Sequence, residues 1–255
     1  MSAAFAIFDL DGTITLGDTY VAYLFHILMQ RTERLPRCLG LPITVLKFKL
    51  GCISNDEIKR AFLKGVMGDL TRCEVERLTA QFLTGRFVRM TKPRALRRIN
   101  WHRRQGHLLV LATASFDFYA GAIGQSLGFD HVVATRAAWH DDRITGDFDG
   151  ENLRGEAKVT AVKRALTRLN CGVSRIVVYS DNQSDLPMLR FADHGIVIDP
   201  TPRFAAAAKN YGLGIEIWSG KPEAIGSGDV GPQFGAQEIT PFSAAHETET
   251  PTTNI

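Results

Sequence analysis

Short apolar runs recur along the chain, and longer segments with helical periodicity separate them. Five runs rich in β-branched or aromatic residues are predicted to be strands: AFAIFD (4–9), HLLVLA (107–112), HVVAT (131–135), RIVVYS (175–180) and GIVID (195–199). Strands that alternate with helices are typical of a parallel sheet covered by helices on both faces. We therefore predict an α/β protein with a doubly wound, Rossmann-like parallel sheet, whose ligand crevice lies at the carboxyl ends of the strands.

The gap between the first two predicted strands, about residues 14–106, is too long for one crossover helix and indicates an inserted subdomain. Four segments in this gap have helical patterns, and Ser54 and Thr71 are candidate N-caps. The segments are VAYLFHILMQR, SNDEIKRAFLKGVM, RCEVERLTAQFLTGRF and KPRALRRINWHRRQG. We predict a helical cap over residues 16–104 and an α/β core formed by residues 1–15 and 105–219.

Two segments outside the predicted sheet have patterns of their own. The stretch ATRAAWHDDRITGDFDG (134–150) alternates, turns around Asp141 and Asp142, and alternates again, which predicts a β-hairpin. Residues 220–255 are poor in core residues and rich in Gly, Pro, Ser and Thr. We predict that this C-terminal tail is disordered.

The composition is that of a globular protein, with 255 residues of which 45% are hydrophobic and 22% charged. The four cysteines lie far apart without a C-x-x-C pair, so neither a zinc site nor a disulfide framework is indicated. The first ten residues lack the basic region of a secretory signal. The uncharged stretch TYVAYLFHILMQ (19–30) is shorter than the roughly 20 residues of a spanning helix. We expect a cytoplasmic protein.

Positive charge is concentrated in the predicted cap. Residues 31–104 contain 18 Lys and Arg against 6 Asp and Glu, a net +12 in a chain whose total is +3. This block favours an anionic ligand or surface, and a solvated basic face is the alternative. No nucleic-acid recognition motif accompanies the basic residues, so we predict no nucleic-acid partner.

Polar side chains stand at predicted strand ends or helix starts in a fixed order. They are Asp9 and Asp11 after the first strand, Thr113 in LATAS after the second, Lys158 at the start of a helix, and Asp181 with Asp185 after a later strand. In a parallel sheet all of them converge on one crevice. Because ionised carboxylates are costly to bury alone, such an acidic cluster predicts a hard divalent cation, and Mg²⁺ suits carboxylates, waters and a substrate phosphate.

Asp9 and Asp11 are predicted to carry out the chemistry. Asp9 beside Mg²⁺ would be ionised and able to attack a phosphorus atom as a nucleophile. Asp11 lies two residues further on and points the same way. It can donate a proton to the leaving oxygen and then deprotonate the attacking water.

The other four polar residues are predicted to bind phosphate and metal. Thr113 and the backbone N–H groups of the following helix can hold phosphoryl oxygens, and the Lys158 ammonium can neutralise their charge. Asp181 would complete the metal site. Asp185 would orient that site or hold Lys158 in place.

The order D-x-D-G-T, Thr, Lys, D-x-x-x-D resembles the haloacid dehalogenase superfamily of phosphotransferases, over about residues 4–200. A cap directly after the first motif, ITGDFDG before Lys158, and SDNQSDLPM resemble the phosphoserine-phosphatase-like branch. Within that branch, WHRRQGHLLVLATASFDFY and YSDNQSDLPML are most similar to bacterial phosphatases that include a phosphatidylglycerophosphatase. The resemblance implies a Mg²⁺-dependent phosphomonoesterase that forms an aspartyl-phosphate on Asp9. It also implies that the backbone carbonyl of Asp11 binds Mg²⁺.

The chain departs from the phosphoserine phosphatases at two positions. Asp18 stands where they carry a glutamate after the first motif, and Phe62, with Arg60 close by, stands where they carry a cap arginine for the substrate carboxylate. These departures argue against phosphoserine itself. The sequence leaves the substrate open between a small metabolite phosphate and a lipid phosphate.

Alternative functions are weaker. The residues after Asp11 lack the oxygen ligands in register and the closing Glu of a calcium-binding EF-hand loop. Dehalogenation is disfavoured because Asp11 is the acid that phosphoryl transfer requires. A non-catalytic anion-binding protein on the same fold is the remaining alternative, and the intact set of polar residues argues against it.

The basic cap also contains the apolar stretch LPRCLGLPITVLKFKLG (35–51). Lys and Arg beside apolar side chains suit peripheral contact with the inner face of an anionic membrane. The competing interpretation is a cap helix whose apolar face packs on its neighbours, with a soluble substrate. The sequence leaves the oligomeric state open.

Overall fold

The computed structural model describes residues 2–169 and 172–220. The tail predicted to be disordered, residues 220–255, therefore lies outside the described residues except for Gly220.

The centre of the fold is a six-stranded sheet in the order β3-β2-β1-β6-β7-β8, in which every neighbouring pair is parallel. The strands in chain order are β1 (Ser2–Phe8), β2 (Leu108–Phe116), β3 (His131–Thr135), β4 (Ala137–His140), β5 (Arg143–Phe148), β6 (Gly172–Ser180), β7 (His194–Ile198) and β8 (Gly214–Glu216). This arrangement confirms the predicted doubly wound α/β fold. The edge strand β8 was not predicted.

Ten helices surround and extend the sheet in the described part of the chain. They are α1 (Thr19–Gln30), α2 (Leu41–Lys49), α3 (Asn55–Phe62), α4 (Arg72–Phe82), α5 (Val88–Met90), α6 (Pro93–Arg104), α7 (Asp117–Leu127), α8 (Glu156–Arg168), α9 (Leu186–Phe191) and α10 (Pro202–Asn210). None of these helices is long and apolar enough to cross a membrane.

Alternating side chains of the strands build a separate hydrophobic core on each face of the sheet. On β1, Phe5 and Ile7 point to one core, whereas Ala6 and Phe8 point to the other. The second core continues into the inserted helices, where the Tyr23 ring stacks on that of Tyr119 with 4.7 Å between centroids. The cap and the sheet therefore share one packed interior, which fixes the cap over one end of the sheet.

We propose that helices α1 to α5 form the inserted cap. Both predicted N-caps are confirmed, because Ser54 and Thr71 each form a capping box with the glutamate three residues later. Helix α6, which lies inside the predicted cap range, instead packs on β2, and its Arg98 pairs with Glu216 of β8 at 2.9 Å. We therefore propose that the cap ends near residue 91 and that α6 belongs to the core.

The predicted hairpin is confirmed as the antiparallel pair β4–β5. Asp141 and Asp142 at its turn have positive φ angles of 44° and 63°, a conformation that aspartate tolerates better than most residues. The hairpin is tied to the cap because Ile144 exchanges backbone hydrogen bonds with the Asp69–Leu70 segment.

Candidate active site

The site forms where the chain winds outward in opposite directions from the middle of the sheet. From β1 the chain continues through β2 to β3 on one side, and β6, β7 and β8 lie on the other. Ligands bind at such a switch point, beyond the carboxyl ends of the strands. Asp9 directly follows β1 and Asp181 directly follows β6, so both carboxylates stand at this point.

Lys158 joins two of the predicted acids. It lies in the first turn of α8, its side chain is only 4% exposed, and its Nζ lies 2.8 Å from Asp9 Oδ1 and 2.7 Å from Asp185 Oδ2. Ser180 Oγ also donates a hydrogen bond to Asp185 Oδ2. Burial disfavours the ammonium, but the two carboxylates outweigh burial and raise the pKa of Lys158 above its ordinary value. The Lys158 ammonium therefore keeps its positive charge where it contacts the Asp9 carboxylate.

Asp11 is held in a different set of contacts. Its carboxylate accepts hydrogen bonds from the backbone N–H of Thr19 at 2.6 Å and from Ser115 Oγ at 2.7 Å. Burial, and secondly the charge of Asp18, raise the pKa of Asp11, and the hydrogen bonds only partly oppose this. A carboxyl group with a raised pKa is suited to carry a proton to and from a reacting oxygen.

A turn after β1 brings Asp181 against the first motif. Gly12 has φ +77°, and a Cβ at this position would overlap the Asp181 carboxylate. Thr13 Oγ1 accepts a hydrogen bond from the Asp181 N–H at 2.9 Å and donates one to Asp181 Oδ1 at 3.1 Å. Burial raises the pKa of Asp181 to about 6. Asp181 is thus a desolvated carboxylate that a cation would stabilise.

The donors at this point fit a magnesium ion. In the described part of the chain, no three His, Cys, Asp or Glu side chains form a metal-binding group. The Asp11 carboxylate is held by Thr19 and Ser115. Two carboxylates, Asp9 and Asp181, with the backbone carbonyl implied for Asp11, suit Mg²⁺, because this ion keeps several waters and is usually bound by one or two carboxylates plus phosphate.

Two of the six predicted residues, Asp185 and Thr113, have their side chains hydrogen-bonded to other groups of the protein. The Asp185 carboxylate is 2% exposed and bound by Lys158 and Ser180, which supports its predicted role in holding Lys158. Thr113 is buried on β2, and its Oγ1 accepts a hydrogen bond from the Ser115 N–H. That Thr113 holds a phosphoryl oxygen, and that Asp185 contributes to the metal site, remain predictions.

A cavity of about 450 Å³ lies between these acids and the cap. Its core side contains Asp9, Asp11 and Lys158. Its cap side is mainly apolar and includes Tyr20, Val21, Leu24, Phe48, Ile58 and Phe62. The catalytic end of the cavity is therefore charged, whereas the opposite wall suits an apolar group.

The two positions at which the chain departs from phosphoserine phosphatases both line this cavity, since Asp18 and Phe62 are part of its wall. Arg60 is turned elsewhere. Its Nε donates to Asp147 Oδ1 at 2.6 Å, and its guanidinium lies over the ring of Phe148 in the hairpin. The contacts of Arg60 therefore give no support to it as a ligand for a substrate carboxylate.

The sequence of this site and its fold are shared with a known family. Residues 6–190 match the haloacid dehalogenase-like hydrolases. The chain belongs to this family. The match confirms the predicted superfamily and the expectation of an enzyme. No finding bears on the closer resemblance to phosphatidylglycerophosphatases.

Several curated proteins are similar to this hydrolase over most of its length. Protein CicA of Caulobacter vibrioides is 27% identical over 193 residues, which cover 73% of this chain and 82% of CicA. A probable phosphatase of Mycobacterium tuberculosis is 25% identical over 76% of this chain and 68% of its own length. A histidinol-phosphatase of Neisseria meningitidis is 22% identical over 81% of this chain and 95% of its own.

Two solved structures share the fold of the hydrolase. A Bordetella pertussis protein of unknown function superimposes with a TM-score of 0.73 at 23% identity, covering 84% of this chain and 98% of that protein. A phospho-aspartyl intermediate analogue of phosphoserine phosphatase gives a TM-score of 0.58 at 20% identity, covering 86% and 95%. These likenesses support the assignment of the α/β fold.

Sequence reasoning missed several polar residues of the hydrolase site. Ser115 lies two residues after Thr113 on β2, and strand alternation could have identified it. Thr13 belongs to the first motif, but only the fold shows that it forms two hydrogen bonds with Asp181. Lys59 had no distinguishing signal among the basic residues of the cap.

Lys59 links the cap to the core beside the acids. Its Nζ donates to Asn152 Oδ1 at 2.8 Å and to the Ala114 carbonyl oxygen, and it lies 4.5 Å from the centroid of the Phe116 ring. Burial lowers the pKa of Lys59 to about 8, although the nearby charge of Asp11 opposes this shift. Lys59 thus brings a cap cation to the edge of the catalytic cavity.

Gly12→Ala is expected to lower kcat/KM by at least about tenfold, because the methyl group would displace the Asp181 carboxylate and a positive φ strains alanine by about 1–3 kcal/mol. Steady-state hydrolysis of an aryl phosphate measures the effect. Gly121→Ala on α7 is the matched control, since a Cβ there meets open space. Equal activity of the Gly12→Ala variant and the control would contradict the tight packing of Asp181 on the first motif.

Proposed function

We propose that this hydrolase is a Mg²⁺-dependent phosphomonoesterase that acts through an aspartyl-phosphate on Asp9. The observation that carries the proposal is the position of Asp9. It follows β1 at the switch point of the sheet, is paired with a buried Lys158, and lines one cavity with Asp11. This combination supports the proposal, because a nucleophile, a positive charge and an acid are the groups that phosphoryl transfer to a carboxylate would use around one ligand.

In the first half of the reaction, an oxygen of the Asp9 carboxylate attacks the phosphorus of the monoester. A new bond forms between this oxygen and phosphorus, and the bond from phosphorus to the leaving oxygen breaks. Asp11 gives its proton to that oxygen, so the product leaves as a neutral alcohol. Lys158 stabilises the charge on the transferring group.

In the second half, a water molecule attacks the phosphorus of the aspartyl-phosphate. Asp11, now ionised, takes a proton from the water, and the bond between Asp9 and phosphorus breaks. Inorganic phosphate leaves, Asp9 returns as a carboxylate, and Asp11 is again protonated. Thr19 and Ser115 keep the Asp11 carboxylate in one orientation through both proton transfers.

Asp9 and Asp181 would hold the magnesium ion, with Thr13 fixing the orientation of Asp181. When bound, the ion supplies positive charge to the phosphoryl oxygens. The same charge would offset the desolvation of the two carboxylates, which otherwise raises the pKa of Asp181.

The substrate class that we propose is a phosphomonoester of a small metabolite or of a lipid. The names of relatives add histidinol phosphate and phosphoserine to the candidates. Phe62 in the cavity wall and the pairing of Arg60 with Asp147 weigh against phosphoserine. A phosphate panel with phosphoserine, histidinol phosphate, glycerol phosphate and phosphatidylglycerophosphate distinguishes these substrates.

Removal of Mg²⁺ by a chelator is expected to abolish phosphate release from an aryl phosphate, and added Mg²⁺ is expected to restore it. Asp181→Asn should raise the Mg²⁺ concentration for half-maximal rate by at least about tenfold, because one of two carboxylate ligands loses its charge. Asp149→Asn, an exposed residue after the hairpin, serves as the control. Full turnover in excess chelator would refute the metal-dependent mechanism.

The alternative of a non-catalytic anion-binding protein predicts phosphate binding without turnover. The complete set of Asp9, Asp11, Lys158 and Asp181 at one crevice favours the enzyme. The activity panel separates the two, because a binding protein would release no phosphate from any monoester under conditions in which it binds inorganic phosphate.

A further inference from the structure

Helix α2 of the cap and the residues that flank it expose an unusual number of large apolar side chains. Leu39, Ile43, Leu46 and Leu50, which we call the α2 stripe, are 78%, 61%, 56% and 68% exposed. No residue of the helix itself is buried. Single exposed apolar residues are ordinary, but a contiguous exposed set marks a surface that meets another phase or molecule.

Two members of the α2 stripe, Ile43 and Leu46, lie three residues apart on α2 and share one face of the helix. Leu39 lies just before α2 and Leu50 directly follows it, and both continue the spacing of three and four residues. Leu41 points away from this face, since it is partly buried against the hydrophobic core of the cap. The helix is therefore anchored through one side while the α2 stripe faces outward.

The segment of the sequence that contains the α2 stripe carries charge of one sign. Lys47 and Lys49 are exposed at the end of α2, and residues 34–55 contain four basic residues and no acidic one. Two of the four are engaged within the cap, because Arg34 donates to the carbonyl oxygens of Val66 and Gly68, and Arg37 pairs with Asp69. The exposed lysines are the charges available to a partner.

We propose that the α2 stripe docks on an anionic lipid surface, with its leucine and isoleucine side chains among the acyl chains and Lys47 and Lys49 at the headgroups. Apolar side chains flanked by lysines are the features of helices that lie in a membrane interface. A second copy of the chain fits less well, because a symmetric contact through this segment would bring two surfaces with the same positive charge together.

Docking would also bring the catalytic cavity near the lipid surface. Phe48 lines the cavity from the face of α2 opposite the α2 stripe, and the exposed Val21 of α1 lines it beside Phe48. This step rests on the proposed function: a phosphomonoester with an apolar chain could enter with its phosphate towards Asp9 and its chain along this wall. The substrate class that follows from this step is an amphiphilic phosphomonoester that leaves a membrane to enter the cavity.

Co-sedimentation of the full chain with vesicles tests the docking surface without any need for activity. Vesicles of phosphatidylcholine alone are compared with vesicles of phosphatidylcholine and phosphatidylglycerol, at low and high salt. We expect binding to the anionic vesicles that weakens with salt. Ile43→Ser/Leu46→Ser should weaken binding at least about tenfold because two apolar anchors are lost.

Matched variants make the result specific. The control Tyr211→Ser/Ile217→Ser removes two similarly exposed large side chains from the surface of the α/β core. It should bind vesicles as the unaltered protein does. Lys47→Gln/Lys49→Gln keeps the α2 stripe and should bind anionic vesicles about tenfold more weakly. Thermal melting checks that each variant is folded, and the lysine variant keeps the test valid if the serine variant is not.

Several results would overturn the proposal: no binding to anionic vesicles at low salt, equal binding to neutral vesicles, or equal losses in the stripe and control variants. If the unaltered protein does not bind vesicles and the stripe variant changes its oligomeric state, the surface is a contact between copies of the chain. In anionic vesicles to which phosphatidic acid is added, its hydrolysis is compared with hydrolysis of a soluble aryl phosphate. Vesicle binding without any hydrolysis would leave the docking surface intact and refute the proposed phosphatase function instead.

Discussion

Replacement of Asp9 by asparagine is expected to lower phosphate release from an aryl phosphate by about 10⁴-fold or more, because removal of an attacking nucleophile has effects of this size. The amide cannot act as an anionic nucleophile, and it also loses the charge that faces Lys158. Lys158 keeps its contact with Asp185, so we expect the variant to remain folded. Steady-state kinetics and circular dichroism measure the two effects.

Asp141→Asn is the matched control for this substitution. Asp141 is exposed at the turn of the hairpin, and its positive φ of 44° is well tolerated by asparagine. The control is expected to retain full activity. Undiminished turnover in folded Asp9→Asn would refute Asp9 as the nucleophile.

Lys158→Met is expected to abolish activity and to lower the free energy of unfolding by about 3–5 kcal/mol, because it leaves buried carboxylates without their counter-ion. Asp9, Asp185 and Lys158 are all nearly inaccessible to solvent. Lys163→Met on the same helix removes an exposed charge and should change the free energy by less than about 1 kcal/mol. Urea denaturation in the presence of chelator measures each value.

The double variant Lys158→Met/Asp185→Asn separates charge from packing. If the loss of stability comes from unpaired carboxylates, neutralising Asp185 should recover part of it, whereas activity should stay absent. A double variant whose loss of stability relative to the unaltered protein equals the sum of the losses in Lys158→Met and Asp185→Asn would contradict the electrostatic coupling of these residues.

The sheet could be predicted because its central strands carry their own signal. The apolar runs of β1, β2, β3, β6 and β7 are bounded by polar or turn residues, and the carboxyl ends of parallel strands meet at one edge. Strand β8 has only three residues, Gly214–Glu216, and it forms by pairing with β7 rather than by local preference. Its existence depends on tertiary contacts that no short window contains.

The identities of the site residues could be predicted better than their partners. The motifs placed Asp9, Asp11, Lys158 and Asp181 at one crevice, and the fold has them there. Whether Asp185 would face the metal or Lys158 remained open in the sequence, because that choice depends on the approach of α8. The capture of Asp11 by Thr19 and Ser115 likewise depends on the distance between separate elements.

The surface of the cap was the least predictable part. The apolar stretch 35–51 is compatible with a helix that packs on its neighbours and equally with a helix that faces outward. The structure leaves the α2 stripe exposed, and the buried core of the cap is filled by side chains of other helices, including Tyr23 of α1 and Leu78 and Phe82 of α4.

The central claim, a covalent phosphate on Asp9, is tested most directly by acid quenching followed by peptide mass mapping. Asp11→Asn, given Mg²⁺ and an aryl phosphate, is the useful protein, because an aryl leaving group needs little protonation whereas water attack on the intermediate still needs the base. We predict a burst of aryl alcohol and one phosphoryl group on the peptide that contains Asp9. Release of aryl alcohol with no covalent phosphate, or with phosphate on another residue, would contradict the mechanism.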